Sequence, residues 1–178
     1  MESLSTTETA ISKNVPQLRF PEFGDEWSIQ RFDYVFHISA GGDIKEENVS
    51  KTKNNKFCYP IFANAEQKKG LYGYSDIYKV KANSITVAGR GVNFGIAHAR
   101  KEPYFPIVRL LVLKPIGNHN IFFFEYAINQ IHIFQESTGV PQLTGPQISS
   151  YKIIYPELPE QQKIANFLSQ VDRKIELL

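Results

Sequence analysis

Long cationic and amide side chains fall on neighbouring predicted turns in the middle of this sequence. Lys68 and Lys69 lie in the turn Ala65–Gly70, and Arg90 lies at the tip of the glycine-rich stretch Gly89–Gly95. In the major groove of a duplex, Arg and Lys read guanine, Asn and Gln read adenine, and further cations bind phosphates. The polar and aromatic residues interleaved with these cations are Asn64, Gln67, Tyr72, Tyr74 and Asn93. Any one of them fits an ordinary structural role better, but the cluster favours a nucleic-acid surface.

The charge distribution also favours the middle of the sequence as a nucleic-acid surface. Residues 40–101 carry eleven basic and five acidic side chains, whereas residues 1–39 carry three and six, and residues 102–178 carry six and seven. The middle third is therefore basic by six charges, although the whole chain has a net charge of only +2. A modest basic face of this kind is compatible with phosphate contacts, and a solvated lysine-rich loop explains it equally well.

Catalytic motifs are missing from the sequence. The four histidines are scattered without metal-ligand spacing, and no phosphate-binding loop or nucleophile elbow occurs. Gly89, Gly91 and Gly95 do not have dinucleotide-binding spacing. One enzymatic alternative stays open, a metal-dependent nuclease that uses Asp43 with Glu66 and Lys68. A second alternative is a protein-interaction module that does not bind DNA.

Cysteine content and hydropathy indicate the cellular compartment of the protein. Cys58 is the only cysteine, so neither a disulfide framework nor a thiolate zinc site is expected. The N-terminus lacks a signal-peptide pattern, and the apolar run around Ile121–Phe124 is too short to span a bilayer. We therefore expect a soluble cytoplasmic protein that makes no membrane contact.

The N-terminal third predicts a tail, an arm and a strand. Residues 1–14 are rich in Ser, Thr and Glu and are expected to be disordered. The two prolines of Val15–Trp27 exclude a long helix, so we expect an extended arm there. Ser28–Asp33 predicts one helical turn before a strand at Tyr34–Ser39, and Asp43–Lys56 predicts a loop or an exposed polar helix. The side chains expected to pin the arm to the domain are Leu18, Phe20, Phe23 and Trp27.

The remaining patterns predict a sheet with few helices. Asn120–Gln130 is the best internal helix candidate, and Pro60 indicates an edge or a bulge in its strand. The fold class is therefore α/β (α+β), a mixed and mainly antiparallel sheet domain of six to eight short strands. The predicted strands after residue 56 are Phe57–Asn64, Leu71–Tyr78, Ser84–Ala88, Ile96–Ala99, Val108–Leu113 and a last one within Ile148–Tyr155.

A C-terminal amphipathic helix is predicted over Pro159–Leu178. A proline is tolerated in the first turn, and Glu160 suits the positive end of the helix. The 4-3-4-3 spacing of five apolar residues is that of a coiled-coil seam. These residues are Ile164, Leu168, Val171, Ile175 and Leu178. The helix either packs on its own domain or meets a partner helix, and the seam that is still in register at Leu178 favours a partner.

Several stretches resemble one protein family. Val15–Trp27 resembles the opening of a specificity subunit of type I restriction–modification enzymes. Tyr59–Tyr74 (YPIFAN…GLYGY) and Ile85–Gly95 (ITVAGRGVNFG) resemble the core of that family's target-recognition domain. Thr138–Leu178 is similar to the closing segment and the first half of the spacer helix, and EQQKIANFLSQVDRKIELL is the most specific part.

The resemblance implies a non-catalytic subunit that reads DNA. In the family, two target-recognition domains each read half of a split site, and two antiparallel helices hold them apart and dock the modification subunits. In the family, the modification subunits carry S-adenosylmethionine and the restriction subunit carries the ATP-driven motor and nuclease. S-adenosylmethionine, ATP and Mg²⁺ are therefore expected only on partner subunits, and no cofactor is expected on this chain. At 178 residues the chain has room for one recognition domain and half a spacer helix. It is then a fragment, or a half-subunit that forms a homodimer or pairs with a second recognition domain.

These considerations assign a domain division and a set of binding residues. We expect a tail at residues 1–14, a DNA target-recognition domain at 15–157 and a spacer or dimerisation helix at 158–178. Thr138 and Gly139 lie just before the closing strand, close in sequence to Gln142, and are weaker candidates for DNA contact. The residues expected to contact DNA are Lys68, Lys69, Tyr72, Arg90, Asn93 and Gln142.

Overall fold

The computed structural model describes residues 16–65, 67–133 and 142–177. The helices are α1 (Phe32–Val35), α2 (Ile121–Asn129), α3 (Gly145–Ser149) and α4 (Leu158–Ile175). The strands are β1 (Ser28–Arg31), β2 (Phe36–Ala40), β3 (Val49–Ser50), β4 (Tyr59–Phe62), β5 (Leu71–Ser75), β6 (Ser84–Val87), β7 (Ala97–Arg100), β8 (Phe105–Pro106), β9 (Leu111–Pro115) and β10 (Lys152–Tyr155). A short 3-10 turn occupies Glu46–Asn48, and Gln67–Gly70 forms a tight turn with non-helical backbone.

Two four-stranded sheets and one two-stranded sheet form the domain. The first has the order β2-β9-β6-β7 and is antiparallel throughout. The second has the order β3-β5-β4-β8, in which only the β4–β8 pair is parallel. Strands β1 and β10 pair antiparallel with each other. The prediction of a mixed, mainly antiparallel sheet domain followed by a C-terminal helix is confirmed.

The main core lies against the first sheet. Helix α2 packs on β6, β7, β10 and α4, and its N-terminus is capped by Asn120, whose side chain accepts hydrogen bonds from two backbone N–H groups. Phe36 and Phe124 meet edge to face with ring centroids 4.9 Å apart. A smaller core beneath the second sheet consists of Ile61, Phe105 and Ile107. Each four-stranded sheet therefore contributes to an apolar core of its own.

The region before the first sheet differs from its prediction. The helical turn α1 does precede a strand, β2, as the sequence predicted, but it begins at Phe32 instead of Ser28, and the prediction missed strand β1 at Ser28–Arg31. Phe32 and Val35 are both buried, and one helical turn brings residues three apart onto one face. The Asp43–Lys56 prediction missed β3, which pairs with β5. Residues 1–14, expected to be disordered, lie outside the described residues.

The N-terminal arm is held by three of the four predicted side chains. Phe20 meets Phe167 of α4 with centroids 5.8 Å apart, Trp27 meets Phe123 of α2 at 6.0 Å, and Phe23 is half-buried. The expectation for Leu18 is wrong, because its side chain is 92% exposed. Arg19, a polar residue that the apolar pattern of the arm does not indicate, also holds the arm, because its side chain binds α4.

Most other helix and strand ends fall close to the predicted ones, but the strand predicted over Val108–Leu113 begins only at Leu111, because Val108 and Arg109 form a turn with positive φ. Helix α2 lies within the predicted Asn120–Gln130, and α4 begins one residue before the predicted start at Pro159. The register in the β4–β5 pair shifts between Ile61 and Phe62, which confirms the irregularity indicated by Pro60. Across the described residues, no helix has the length and apolar character needed to cross a membrane.

Candidate nucleic-acid interface

The Lys68–Lys69 turn has an unusual backbone. Both residues are exposed and adopt left-handed conformations, with φ values of 50° and 54°. The turn reverses the chain between β4 and β5, where the N–H of Ala63 donates to the carbonyl of Gly70 at 2.9 Å. The carbonyl of Lys69 accepts a 2.6 Å hydrogen bond from the guanidinium of Arg100. The side chains of Lys68 and Lys69 are thus exposed to solvent on a turn whose backbone is held by the hydrogen bond from Arg100.

The Arg90 hairpin connects β6 to β7 as predicted. The expectation that Arg90 lies at its tip is wrong, because the tip is the turn closed by the N–H of Phe94 donating to the carbonyl of Gly91 at 3.2 Å, and Arg90 precedes that turn. Arg90 is half-buried, its Nη2 donates to Oε1 of Gln142, and its Nε is buried without a hydrogen-bond partner. The backbone adds a second link, because the N–H of Leu143 donates to the carbonyl of Gly89 at 2.8 Å. The sequence predicted Arg90 and Gln142 as DNA-contact residues but gave no reason to place them together. The structure shows that their side chains are in contact.

Asparagine side chains tie the two turns together. Asn93 donates to the carbonyl of Ala65 at 3.1 Å, and Asn64 accepts from the N–H of Gly89 at 2.8 Å. The amides of Asn64 and Asn93 are consequently used inside the protein. Both asparagines therefore brace the turns within the protein, and that Asn93 also reads adenine stays a prediction. The exposed cations of these two turns are Lys68 and Lys69.

Arg100 is a buried cation that the sequence analysis did not single out. It is 7% exposed, stacks 3.5 Å from the ring centroid of Phe62 and donates to Thr86 Oγ1 at 2.9 Å. Burial lowers the pKa of Arg100 to about 10, so it stays charged at neutral pH. Burial also raises the pKa of the neighbouring Tyr104 to about 12. A cation held beneath the Lys68–Lys69 turn adds positive potential to that face.

Tyr72 lies in an adjoining groove. Its side chain is 47% exposed, and the ammonium of Lys51 lies 3.7 Å from its ring centroid. The groove is lined by Tyr72 and Lys51 together with Gly42, Asp43, Ile44, Glu46, Val49, Ile107 and Val108. Lys51 belongs to the Asp43–Lys56 stretch predicted as a loop or an exposed polar helix, and it adds a cation beside Tyr72.

The nuclease alternative gains no geometric support among the described residues. Asp43 lines the groove, whereas Lys68 lies on the β4–β5 turn, and Glu66 lies outside the described residues. No three His, Cys, Asp or Glu side chains in the described ranges come together as metal ligands.

Helix α4 has a buried first half and an exposed second half. Glu160, Gln161 and Ala165 are buried, and Arg19 forms a two-bond ion pair with Glu160, with both N···O distances 2.7 Å. Along the predicted seam, Ile164 and Leu168 are partly buried, whereas Val171 is 37% and Ile175 is 62% exposed. Leu178 lies outside the described residues. The helix is therefore attached to the domain mainly through its first half. In its second half Tyr126 of α2 donates a 2.5 Å hydrogen bond to Oδ2 of Asp172, while the seam residues Val171 and Ile175 stay exposed.

Comparison with known proteins identifies the family of this chain. A family model described as the type I restriction modification DNA specificity domain matches residues 24–178. The chain belongs to this family. The match extends from the N-terminal arm to the end of α4 and includes the Lys68–Lys69 turn and the Arg90 hairpin.

Two relatives come from Mycoplasma pneumoniae. S.MpnORF507P, described as a type I specificity subunit, is 32% identical over 143 residues, which are 80% of this chain and 39% of that protein. S.MpnORF89P, with the same description, is 33% identical over 131 residues, 74% of this chain and 38% of that protein. The chain thus spans well under half the length of these specificity subunits.

Solved structures show the same fold. The S subunit of a type I restriction–modification system from M. genitalium superposes with a TM-score of 0.68 at 18% identity, over 92% of this chain and 42% of that one. The HsdS subunit from Thermoanaerobacter tengcongensis gives a TM-score of 0.59 at 15% identity, over 93% and 41%. Both specificity-subunit structures therefore contain a region with the architecture seen here.

Proposed function

We propose that this chain recognises one part of a DNA target for a type I restriction–modification system and is itself non-catalytic. The observation that carries the proposal is the cluster of turns bearing Lys68, Lys69 and Arg90, linked by Asn64 and Asn93 into one surface. Membership of the specificity-domain family supports it. Cations on fixed turns bind phosphates and base edges, while a rigid sheet sets their spacing.

The partners follow from the same assignment. The chain would bind duplex DNA and a modification subunit, and would act with a restriction subunit only indirectly. S-adenosylmethionine, ATP and Mg²⁺ would be bound by those subunits, and this chain would need no cofactor of its own. One of the similar solved structures comes from work on complex assembly of a type I restriction–modification system.

The exposed half of α4 is the proposed assembly surface. Val171, Ile175 and the adjoining Phe167 expose 37%, 62% and 53% of their side chains. An apolar stripe with coiled-coil spacing is covered in solution by another helix. We propose that the covering helix comes from a second recognition domain, either a second copy of this chain or another subunit's domain.

The test is adenine methylation across the genome of a host that has the matching modification subunit, with and without this chain. We expect a split motif that appears only when the chain is present. A palindromic motif would indicate two identical copies, and an asymmetric motif would indicate a different second domain. The double variant Lys68→Ala/Lys69→Ala should reduce methylation at that motif. If no motif depends on the chain, and the chain binds DNA with no salt dependence, the proposal is refuted.

A further inference from the structure

A second turn repeats the backbone of the Lys68–Lys69 turn. Val108 and Arg109 have φ values of 51° and 55°, and the N–H of Leu110 donates to the carbonyl of Ile107 at 3.1 Å to close the turn. Consecutive left-handed residues other than glycine are strained, and a β-branched residue such as valine is strained most. Glycine would make this reversal without strain. Such strain concentrates at sites where the side chains have a function.

Both side chains of this turn face solvent. Val108 is 51% exposed, and Arg109 is also exposed. No ion pair or hydrogen bond joins the guanidinium of Arg109 to any of the described residues, and the same holds for Arg173 of α4. The other four arginines, Arg19, Arg31, Arg90 and Arg100, all have partners. Arg109 is therefore an arginine whose five donors are available for a ligand.

The position of the turn connects the two halves of the candidate surface. The side chain of Asn64 donates to the carbonyl of Val108 at 2.7 Å and accepts from the N–H of Gly89 at 2.8 Å. One amide thus joins the Val108–Arg109 turn to the Arg90 hairpin. On its other side Val108 lines the groove that contains Tyr72 and Lys51.

Resting on the proposed DNA-recognition function, we propose that the Val108–Arg109 turn is a third DNA-contacting turn, with Arg109 as its contact residue and Asn64 as its positioning residue. The guanidinium binds an acceptor on duplex DNA, a phosphate oxygen or the O6/N7 edge of guanine. The neighbouring groove contains the acidic side chains Asp43 and Glu46, which repel DNA phosphates. We therefore place the contact on the exposed crest of the turn and not in the groove.

The test measures binding of the chain, with its modification subunit, to a labelled duplex pool that has a randomised central segment. Affinity is measured across a salt series, and the retained duplexes are sequenced. The variants are Arg109→Ala and Arg109→Lys, and the control is Lys152→Ala, which removes an exposed charge from β10. If Arg109 reads a base, Arg109→Ala weakens binding to the selected duplexes by about 5- to 150-fold and relaxes one position of the motif.

Each other outcome is equally decisive. A uniform loss across sequences, with the salt slope reduced by about one and the motif unchanged, identifies a phosphate contact, which Arg109→Lys should largely restore. Binding by Arg109→Ala that equals wild type in affinity, slope and motif overturns the inference while leaving the proposed function intact. Absence of salt-dependent binding by the wild-type assembly would instead count against the proposed function.

The positioning role of Asn64 has a separate readout. Asn64→Ala removes the bridge, so Arg109→Ala should cost much less affinity in that background than in the wild type. Asn93→Ala is the matched control, because Asn93 also braces a turn but does not bind the Val108 carbonyl. Its effect should add to that of Arg109→Ala. Additivity in the Asn64→Ala background would refute the positioning role.

Discussion

Gln161 offers the sharpest test of how α4 is attached to the rest of the domain. Its side chain is fully buried at the root of α4. Oε1 accepts from the N–H of Asn120 at 2.9 Å, and Nε2 donates to the carbonyl of Pro156 at 2.8 Å and lies 3.1 Å from Nδ1 of His119. One amide therefore joins the start of α2, the end of β10 and α4.

The substitution Gln161→Ala leaves the Asn120 N–H and the Pro156 carbonyl without partners. Each buried polar group deprived of its hydrogen bond costs about 1–3 kcal/mol, and a water entering the space reduces that cost. We expect the free energy of unfolding to fall by about 2–4 kcal/mol, a large share of the roughly 5–15 kcal/mol that stabilises a domain. For a chain of this size, such a loss lowers the melting temperature by roughly 4–16 °C.

The neighbouring residue provides the matched control. Gln162 is exposed on the same helix, so Gln162→Ala makes the same chemical change and the same change in helix propensity without removing a buried hydrogen bond. Urea or thermal unfolding of both variants measures the difference directly. If Gln161→Ala unfolds within about 0.5 kcal/mol of Gln162→Ala, the reasoning is refuted, since surface substitutions alone give changes of that size.

Two further predictions concern assembly and pH. Ile175→Asp should leave the melting temperature almost unchanged, because its side chain is 62% exposed, yet abolish assembly with a second helix. Gln162→Asp, exposed on the side of α4 opposite Val171, is its control, and assembly of Ile175→Asp at wild-type strength by light scattering would contradict the prediction. Burial lowers the pKa of His119, so stability is complete above its unfolded pKa of about 6.5 and is lost as the pH falls through the lower folded value. His119→Phe should remove this part of the acid sensitivity in melts recorded across the pH range, and an unchanged pH dependence would show that the loss arises elsewhere.

The sequence predicts α4 accurately but not which part of it is buried. Proline, acidic first turn and apolar spacing together place its start within one residue. The buried residues at its root are nevertheless Glu160 and Gln161, which a hydrophobic pattern assigns to solvent. Their burial depends on Arg19 and on the loop before α2, far away in the chain. Such pairings are tertiary and leave no local periodicity.

The same limit explains what the sequence missed in the sheets and the candidate site. Strands β1, β3 and β8 are two to four residues long and are defined by partners distant in sequence, so they lack a readable alternation. Turn composition did locate Lys68, Lys69 and Arg90 on neighbouring turns. It could not separate asparagines that brace those turns from asparagines that face DNA, because both kinds lie beside glycine in a polar stretch.

The braces of the candidate surface act almost entirely on main-chain atoms. Asn64 binds the N–H of Gly89 and the carbonyl of Val108, Asn93 binds the carbonyl of Ala65, and Arg100 binds the carbonyl of Lys69. A turn held by its backbone keeps its shape when its side chains change. The side chains at the crests can therefore be exchanged at small cost in stability, and with them the DNA sequence that the domain would read. A specificity domain of this design can acquire a new target without a new fold.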